Sequence, residues 1–189
     1  MRVLARARQL GLDPEDVVRF GEEAGLPEWA AVGRFFAEYL DVLDAEQVLD
    51  YAELVHRTRI LIADPEVAAS LRAELGAVLV DDVVDLDPAQ VGLVRALVPP
   101  GESILATADP LSAVNAFRGA HPRIATDFPA IFTSRGGAPA TVRQLTQGHR
   151  MVGEVTTVVA RIAARLPQTG GRPLPATPAP GAGTVEVVT

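Results

Sequence analysis

The chain of 189 residues contains no cysteine, which excludes disulfide bonds, a thiolate nucleophile and cysteine-ligated metal centres. Lysine is absent as well, so every one of the 17 basic residues is an arginine, and these residues hold no phosphate loop of the G-x-x-x-x-G-K-[ST] type. No stretch approaches the roughly 20 apolar residues of a membrane span, and the first residues lack the apolar core of a signal peptide. These absences predict a cytoplasmic protein without disulfides, thiolate catalysis or cysteine-ligated metal.

The charged residues are divided unevenly along the chain. Residues 1–94 contain 8 arginines and 19 acidic residues, net −11, whereas residues 95–189 contain 9 arginines and 5 acidic residues, net +4. The total charge of −7 argues against a free-standing nucleic-acid-binding module. The arginine-rich second half is nevertheless suited to contact with phosphate.

Helical periodicity predicts a helical subdomain over residues 1–75. "DPEDVVRFGEEAG" begins at Asp-Pro and ends at Gly25, and "PEWAAVGRFFAEYLDVL" carries an apolar stripe on one face. A third helix is predicted to start at Asp44, as its N-cap, and to stop at Asp64-Pro65. A fourth is predicted over residues 65–75.

Strand and helix patterns alternate in the second half. The apolar stretches "AVLVD", "SILATAD" and "TVRQLT" predict three strands, and helices are predicted at about 88–98 and 151–165. We therefore expect an open, parallel α/β sheet over residues 76–166. Residues 167–183 are rich in proline and glycine and are predicted to be a linker, and "TVEVVT" at 184–189 has the pattern of the start of a truncated strand.

The first predicted strand delivers two adjacent carboxylates, Asp81 and Asp82. Ligands of open α/β sheets bind beyond the carboxyl ends of the strands, where such carboxylates can hold Mg²⁺ and orient a water on a nucleotide. Aspartates between a strand and a proline are equally good turn and N-cap residues. The two interpretations remain open at this point.

Four stretches, in order, resemble motifs of UvrD/Rep/PcrA-type superfamily 1 DNA helicases. "VLVDDVVDLDPAQ" resembles the Walker B motif of that family, an apolar strand followed by DEYQDTN and P-x-Q. "SILATADPLSAVNAFRGAHP" resembles VGDPDQSIYGFRGA, and "VRQLTQGHRM" resembles L-x-x-N-Y-R-S. "LDYAELV", before the first strand, is similar to the helix LDFDDLL. The resemblance covers about residues 45–165.

The resemblance implies a partial RecA-like lobe of the P-loop NTPase class, preceded by helices, in an ATP-dependent DNA helicase. The implied cofactors are ATP and Mg²⁺, and the implied partner is DNA. By position in the motifs, Asp81 would hold the metal, Asp82 would be the catalytic base and Arg150 would reach the γ-phosphate. The same matching assigns nucleotide contacts to Asp109, Ser112, Arg118 and Arg150, and DNA contacts to Asn115, Phe117 and Arg118.

Several of these positions depart from the family. Asp82 stands where the family has glutamate, Val84 and Ser112 replace glutamines, and Asn115 replaces the aromatic residue that stacks on a base. The GKT segment of the family lies upstream of Walker B and has no counterpart in these residues.

We therefore expect a fragment or degenerate member of the helicase family that does not hydrolyse ATP by itself and binds DNA weakly. The alternatives are a non-catalytic scaffold that supports a partner motor and, less favoured, an acidic protein-interaction domain unrelated to DNA. "VDD" followed by "LDPAQ" also resembles the AdnA-type subunits of helicase-nucleases, which would make a helicase or helicase-nuclease subunit the partner.

Overall fold

A computed structural model describes residues 2–121, 123–166 and 177–186. Over these residues the chain is mostly helical, with one small sheet and three short 3₁₀ turns at Val83–Asp85, Pro110–Ser112 and Asn115–Arg118. None of the helices in these ranges combines the length and the apolar character that crossing a membrane requires. The elements are α1 Arg2–Gln9, α2 Pro14–Glu23, α3 Trp29–Ala45, α4 Tyr51–Ala63, α5 Pro65–Glu74, β1 Val78–Val80, α6 Pro88–Leu97, β2 Ile104–Ala106, α7 Ile124–Ile131 and α8 Gly153–Ala163.

The N-terminal helices pack around one apolar core. α1 buries Leu4 and Ala7 against Val17 of α2 and Phe36 of α3. The side chains of Leu4 and Ala7 lie three residues apart and therefore share a helix face. Trp29 and other partly buried residues of α3 close the cluster. Helices α1, α2 and α3 therefore share one apolar core.

The start of α4 differs from the prediction. α3 continues to Ala45, so Asp44 lies in its last turn, and the chain then reverses through Gln47, whose φ is +54°. Asp50 is the N-cap of α4: its backbone is extended and its carboxylate accepts the backbone N–H of Glu53 at 2.8 Å. The prediction of Asp44 as the N-cap was wrong because backbone hydrogen bonds from Glu46 to Val42 and from Val48 to Leu43 keep that turn helical, and the extended backbone of an N-cap comes only at Asp50.

A cluster of charged side chains joins α1 to the start of α4. The Arg8 guanidinium lies 2.7 Å from the Asp50 carboxylate and 3.1 Å from that of Glu53, and both Arg8 and Glu53 are buried. Tyr39 donates its hydroxyl to Asp50 at 2.8 Å, and this hydrogen bond raises the pKa of Tyr39. Arg57 pairs with the other side of Glu53 at 2.6 Å. The cluster fixes three helices relative to one another.

The sheet contains two parallel strands among the described residues. β1 and β2 pair with Val78 opposite Ile104 and Val80 opposite Ala106, and α6 makes the crossover between them. The resemblance to the helicase motifs also implies that the strands before Asp81 and Asp109 are parallel neighbours ending at one edge of the sheet, and this pairing is confirmed.

The predicted third strand, residues 141–146, is wrong. This segment has no strand ladder, and the nearest pairing is an isolated bridge between Gln147 and Thr177. Val142 and Leu145 are 74% and 88% exposed, so the segment gains little from apolar burial and lacks a neighbouring strand to pair with.

A second core lies beneath the ends of the strands. Val83 and Val84, in the turn after β1, are buried against Ile124 of α7, and Val80 and Ala106 of the sheet pack on the same cluster. Of the predicted linker and terminal strand, residues 167–176 and 187–189 lie outside the described residues.

Candidate functional site at the strand ends

Thr107 joins the carboxyl ends of β1 and β2. The strand register places it beside Asp81, and its hydroxyl donates to the Asp81 carboxylate at 2.5 Å while accepting the backbone N–H of Asp82 at 3.0 Å. Its backbone N–H donates to the carbonyl of Val80 at 2.9 Å, and its own carbonyl accepts the N–H of Val83 at 2.9 Å. These four hydrogen bonds hold both strand ends in one geometry.

Asp82 adopts the left-handed conformation, with φ +47° and ψ +55°. Aspartate is among the few non-glycine residues that visit this region readily. The conformation turns the chain from β1 into the 3₁₀ turn that buries Val83 and Val84. The Asp82 side chain itself is exposed and takes part in no hydrogen bond or ion pair with the rest of the described chain.

Asp109 and Ser112 form a local turn after β2. The Asp109 carboxylate accepts the backbone N–H of Leu111 at 2.9 Å, and the Ser112 hydroxyl donates to the Asp109 carbonyl at 2.9 Å. Asp109 reaches the same end of the sheet as Asp81 and Asp82, as the motifs predicted. Over residues 2–121, 123–166 and 177–186 these carboxylates do not form a metal-binding group of three or more ligand side chains.

The "FRGA" segment presents an aromatic ring and an arginine to solvent. Phe117 is 80% exposed, and the Arg118 guanidinium lies over its ring, 5.4 Å from the centroid. Gly119 ends the turn with φ +93°, and a Cβ at this position would lie 2.0 Å from the Gln9 side-chain oxygen. Arg6 of α1 donates to the Gly119 carbonyl at 3.4 Å. The turn is therefore braced by α1 and requires glycine.

The structure does not bring every predicted site residue to the strand ends. Arg150 lies exposed in the segment before α8, and no hydrogen bond or ion pair joins it to Asp81, Asp82 or Asp109. Asn115 is half-buried at the start of the "FRGA" turn. The described site consists of the carboxylates beside Thr107 and the adjacent exposed pair, Phe117 and Arg118.

Asp87 has a structural role in the same region. Its carboxylate accepts the backbone N–H of Gln90 at 2.8 Å, while the Gln90 side chain accepts the N–H of Asp87 at 2.9 Å, which makes a capping box at the start of α6. Burial raises the pKa of Asp87 above its ordinary value of 3.8, although the backbone hydrogen bonds oppose the shift. The turn interpretation of the acidic stretch is therefore correct for Asp87.

Replacement of Asp87 by asparagine is expected to change how stability depends on pH. Because the folded-state pKa of Asp87 is raised, the protonated carboxyl group stabilises the folded chain and its ionisation favours the unfolded chain. This contribution to the free energy of unfolding is complete below the unfolded-state pKa of Asp87, and it is lost as the pH rises through the folded-state pKa. Asparagine is also a good N-cap but does not ionise. The Asp87→Asn variant should therefore gain stability relative to the parent as the pH rises from about 4 to 7.

Urea denaturation of both proteins at several pH values between 4 and 7 measures this difference. An Asp87→Ala variant, which loses the cap, should be less stable by about 1 kcal/mol at pH 7 and serves as the control. A gap between parent and Asp87→Asn that is constant with pH would contradict the role given to burial.

Sequence reasoning missed Thr107, Arg6 and Gln9. Thr107 could have been found once β1 and β2 were taken as parallel and in register, because a hydroxyl opposite Asp81 is a natural partner for its carboxylate. The contacts of Arg6 and Gln9 with Gly119 join residues more than 100 positions apart, so no local sequence pattern predicts them.

Comparison with known proteins agrees with the motifs. The UvrD/REP helicase N-terminal domain family matches residues 1–133. The ATP-dependent DNA helicase UvrD1 of Mycobacterium tuberculosis and that of Mycobacterium bovis are each 37% identical over 107 residues, which cover 52% of this chain and 14% of theirs. The chain thus spans about one seventh of the length of these relatives. On the extent of the family match, the chain belongs to the UvrD/REP helicase N-terminal domain family.

Proposed function

We propose that this chain is a DNA-contacting part of a UvrD-type helicase motor, that residues 76–166 are a partial RecA-like lobe, and that the chain does not hydrolyse ATP by itself. The observation that carries the DNA contact is the exposed Phe117 ring with Arg118 stacked on it, next to the ends of two parallel strands. The Phe117 side chain, which is 80% exposed, gains little free energy from burial within this chain, whereas a stacked nucleobase would cover its ring.

Single-stranded DNA is the form that such a pair suits. An aromatic face stacks on any unpaired base, and an adjacent guanidinium pairs with phosphate or stacks in turn. In the family an aromatic residue occupies the position of Asn115, so one of its stacking positions is lost here. We expect weak contact that depends on phosphate more than on bases.

The nucleotide side of the family's chemistry fits these residues poorly. Asp81 and Asp109 offer carboxylates of the kind that Mg²⁺ accepts, but the Asp81 carboxylate is already hydrogen-bonded to Thr107 and Asp109 caps its own turn. The 189 residues contain no lysine to reach a β- or γ-phosphate. The chain by itself therefore supplies carboxylates on one side of a nucleotide site but no loop that would bind the phosphates.

The isolated chain is expected to show no ATP turnover, with or without single-stranded DNA, because it lacks a phosphate loop and has an aspartate in place of the catalytic glutamate. A steady-state phosphate-release assay at saturating Mg²⁺ checks this, with an Asp81→Ala variant measured in parallel. Turnover in the parent that disappears in Asp81→Ala would show that the site is active and would refute this part of the proposal.

Single-stranded DNA binding is expected to weaken steeply with salt and to be blind to sequence, because phosphate contacts release counterions and carry no base information. Fluorescence anisotropy of labelled oligonucleotides of two sequences, at 50 and 200 mM salt, measures both properties. The matched variants are Phe117→Ala, which should weaken binding, and Leu145→Ala, an equally exposed apolar residue outside the turn, which should not. Tight binding that is indifferent to salt would rule out this mode of contact.

Asn115→Tyr should strengthen DNA binding by restoring one stacking position. The gain is expected to be on the order of 1–3 kcal/mol at most, the amount that one stacked base contributes. The same anisotropy titration measures it, and Val142→Tyr is the control because Val142 is 74% exposed outside the turn. An Asn115→Tyr variant that binds no better than the parent would mean that this turn does not meet bases.

The second candidate function is a non-catalytic scaffold that supports a partner motor. The observation that favours it is the uncovered face of the sheet, where Leu79 and Leu105 are 75% and 64% exposed. This candidate predicts a protein interface at the sheet, whereas the first predicts a DNA interface at the "FRGA" turn, and the two are compatible.

A further inference from the structure

Helix α1 has two working faces, and only one of them belongs to the N-terminal core. Leu4, Ala7 and Arg8 share the buried face, where the two apolar side chains pack on the core and Arg8 pairs with the carboxylates at the start of α4. Arg6 and Gln9 are three residues apart and share a different face of the helix. This second face contacts the "FRGA" turn, more than 100 residues away in sequence. α1 therefore links the N-terminal helices to that turn.

The second face of α1 holds Gly119 at two points. Arg6 donates to the Gly119 carbonyl at 3.4 Å. The Gln9 side chain lies so close to the Cα of Gly119 that a methyl group there would overlap it from Cγ to Oε1. The φ of +93° at Gly119 is one that other residues rarely adopt. Contact with α1 thus falls directly after Phe117 and Arg118, the two residues that face solvent.

The turn has little other means of fixing its orientation. None of the four residues Asn115–Arg118 is buried, and the next buried residue along the chain is Ala120. A single 3₁₀ turn also has few internal hydrogen bonds, and their geometry is poorer than that of an α-helix. The direction in which Phe117 and Arg118 point therefore depends on how the C-terminal end of the turn, Gly119, is held.

We propose that α1 orients the DNA-contacting turn, with Gln9 and Arg6 as positioning residues for Phe117 and Arg118. The inference rests on the DNA contact of the proposed function and adds the device that holds the contact surface in place. A turn that is held in one orientation before binding loses less conformational entropy when DNA binds. If the competent orientation falls to between a third and a tenth of the population, the apparent Kd rises by about threefold to tenfold.

Gln9→Ala is the main test, because Gln9 carries no charge and its loss removes no cation from the DNA surface. Fluorescence anisotropy with a labelled single-stranded oligonucleotide is expected to show binding weaker by about threefold to tenfold. Gln144→Ala makes the same substitution at an exposed site outside the turn and should bind as the parent does. Alanine is a good helix former, so the urea midpoint of Gln9→Ala should stay close to that of the parent.

Gln9→Met separates the packing of this side chain from the hydrogen bonding of its amide. Methionine is similarly long and unbranched, so it can lie against Gly119, but its thioether is a poor hydrogen-bond partner for a base or a phosphate. The affinity of Gln9→Met for the oligonucleotide should therefore match that of the parent. Binding as weak as that of Gln9→Ala would mean that the amide itself contacts DNA, and it would overturn the positioning role.

The orientation of the turn can also be measured without DNA. A Phe117→Trp substitution puts an indole at the exposed position of the turn, and the signal of Trp29, the one tryptophan of the parent, is measured separately on the unsubstituted chain. Time-resolved fluorescence anisotropy reports local rotation on the nanosecond timescale. Adding Gln9→Ala to Phe117→Trp should increase the amplitude of this rotation, whereas adding Gln9→Met should not.

Gly119→Ala tests the same contact from the side of the turn. The added methyl group would overlap Gln9 and strain the backbone, so DNA binding should weaken. Because both substitutions disrupt one contact, Gln9→Ala combined with Gly119→Ala should weaken binding by less than the product of the two single effects. Effects that simply multiply would show that Gln9 and Gly119 act independently and would contradict the proposal.

The mobility measurement keeps this inference distinct from the proposed DNA contact. Unchanged rotation at position 117 in the Gln9→Ala background would overturn the role of α1, whatever the DNA titrations show. If Phe117→Ala leaves DNA binding intact, the proposed DNA contact fails, but the mobility of the turn still decides whether α1 orients it. Increased rotation together with weaker binding in Gln9→Ala, both restored in Gln9→Met, is the result that supports the proposal.

Discussion

Replacement of Arg8 by alanine is expected to reduce the free energy of unfolding by about 3–5 kcal/mol, the cost of removing one partner from a buried ion pair. The Arg8 and Glu53 side chains are 7% and 8% exposed and lie 3.1 Å apart. Without Arg8, the Glu53 carboxylate would keep the partly exposed Arg57 on one side and lose the buried guanidinium on the other. The guanidinium also covers the rings of Phe36 and Tyr39, at 6.0 and 5.5 Å from their centroids.

Urea denaturation monitored by circular dichroism measures this loss. Arg19→Ala is the matched control, because Arg19 forms an ion pair of 2.5 Å with Asp16 but is 57% exposed, and surface pairs contribute about 0–1 kcal/mol. Arg8→Met combined with Glu53→Met should be less destabilised than the sum of the two single variants, since neither charge is then buried alone. An Arg8→Ala variant no less stable than Arg19→Ala would show that the cluster does not hold the helices together.

Val84→Gln, which restores the residue found in the helicase family, is expected to destabilise this chain. Val84 is 1% exposed, between Val83 and Ile124 of the second core. A glutamine amide placed there without a hydrogen-bond partner costs about 1–3 kcal/mol, and its larger volume in a packed site adds a cost of the same order. The family residue is therefore incompatible with the core of this chain as it stands.

Thermal and urea unfolding of Val84→Gln test this prediction. Val84→Ile adds one methylene group without polarity and separates the packing cost from that of the amide. Val142→Gln makes the same substitution at a site 74% exposed, where the change should stay within about 0.5 kcal/mol. A Val84→Gln variant as stable as the parent would show that the amide finds partners and that this position can still support the family's chemistry.

Local patterns in the sequence were sufficient for much of the fold. Asp-Pro pairs at helix starts and apolar periodicity predicted α2, α3, α5, α6 and α8 to within a few residues, because caps and amphipathic faces are encoded over one or two turns. Apolar runs alternating with helices predicted a parallel sheet, and the order of the motifs predicted that the strands before Asp81 and Asp109 are neighbours. The order of the motifs predicted the family.

Nonlocal packing decided the rest. The sequence could not show that Val84 lies in the core or that Asp50, and not Asp44, begins α4. Nor could it show that residues 141–146 form no strand. Each of these outcomes depends on which distant residues pack against the segment. The site shows the same division: Asp81 and Asp82 were found from their place after a strand, whereas Thr107, 25 residues beyond Asp82, takes its role from strand register. Composition and periodicity predict most of the helices and both strands, whereas the register of β1 against β2 decides which side chains meet at the site.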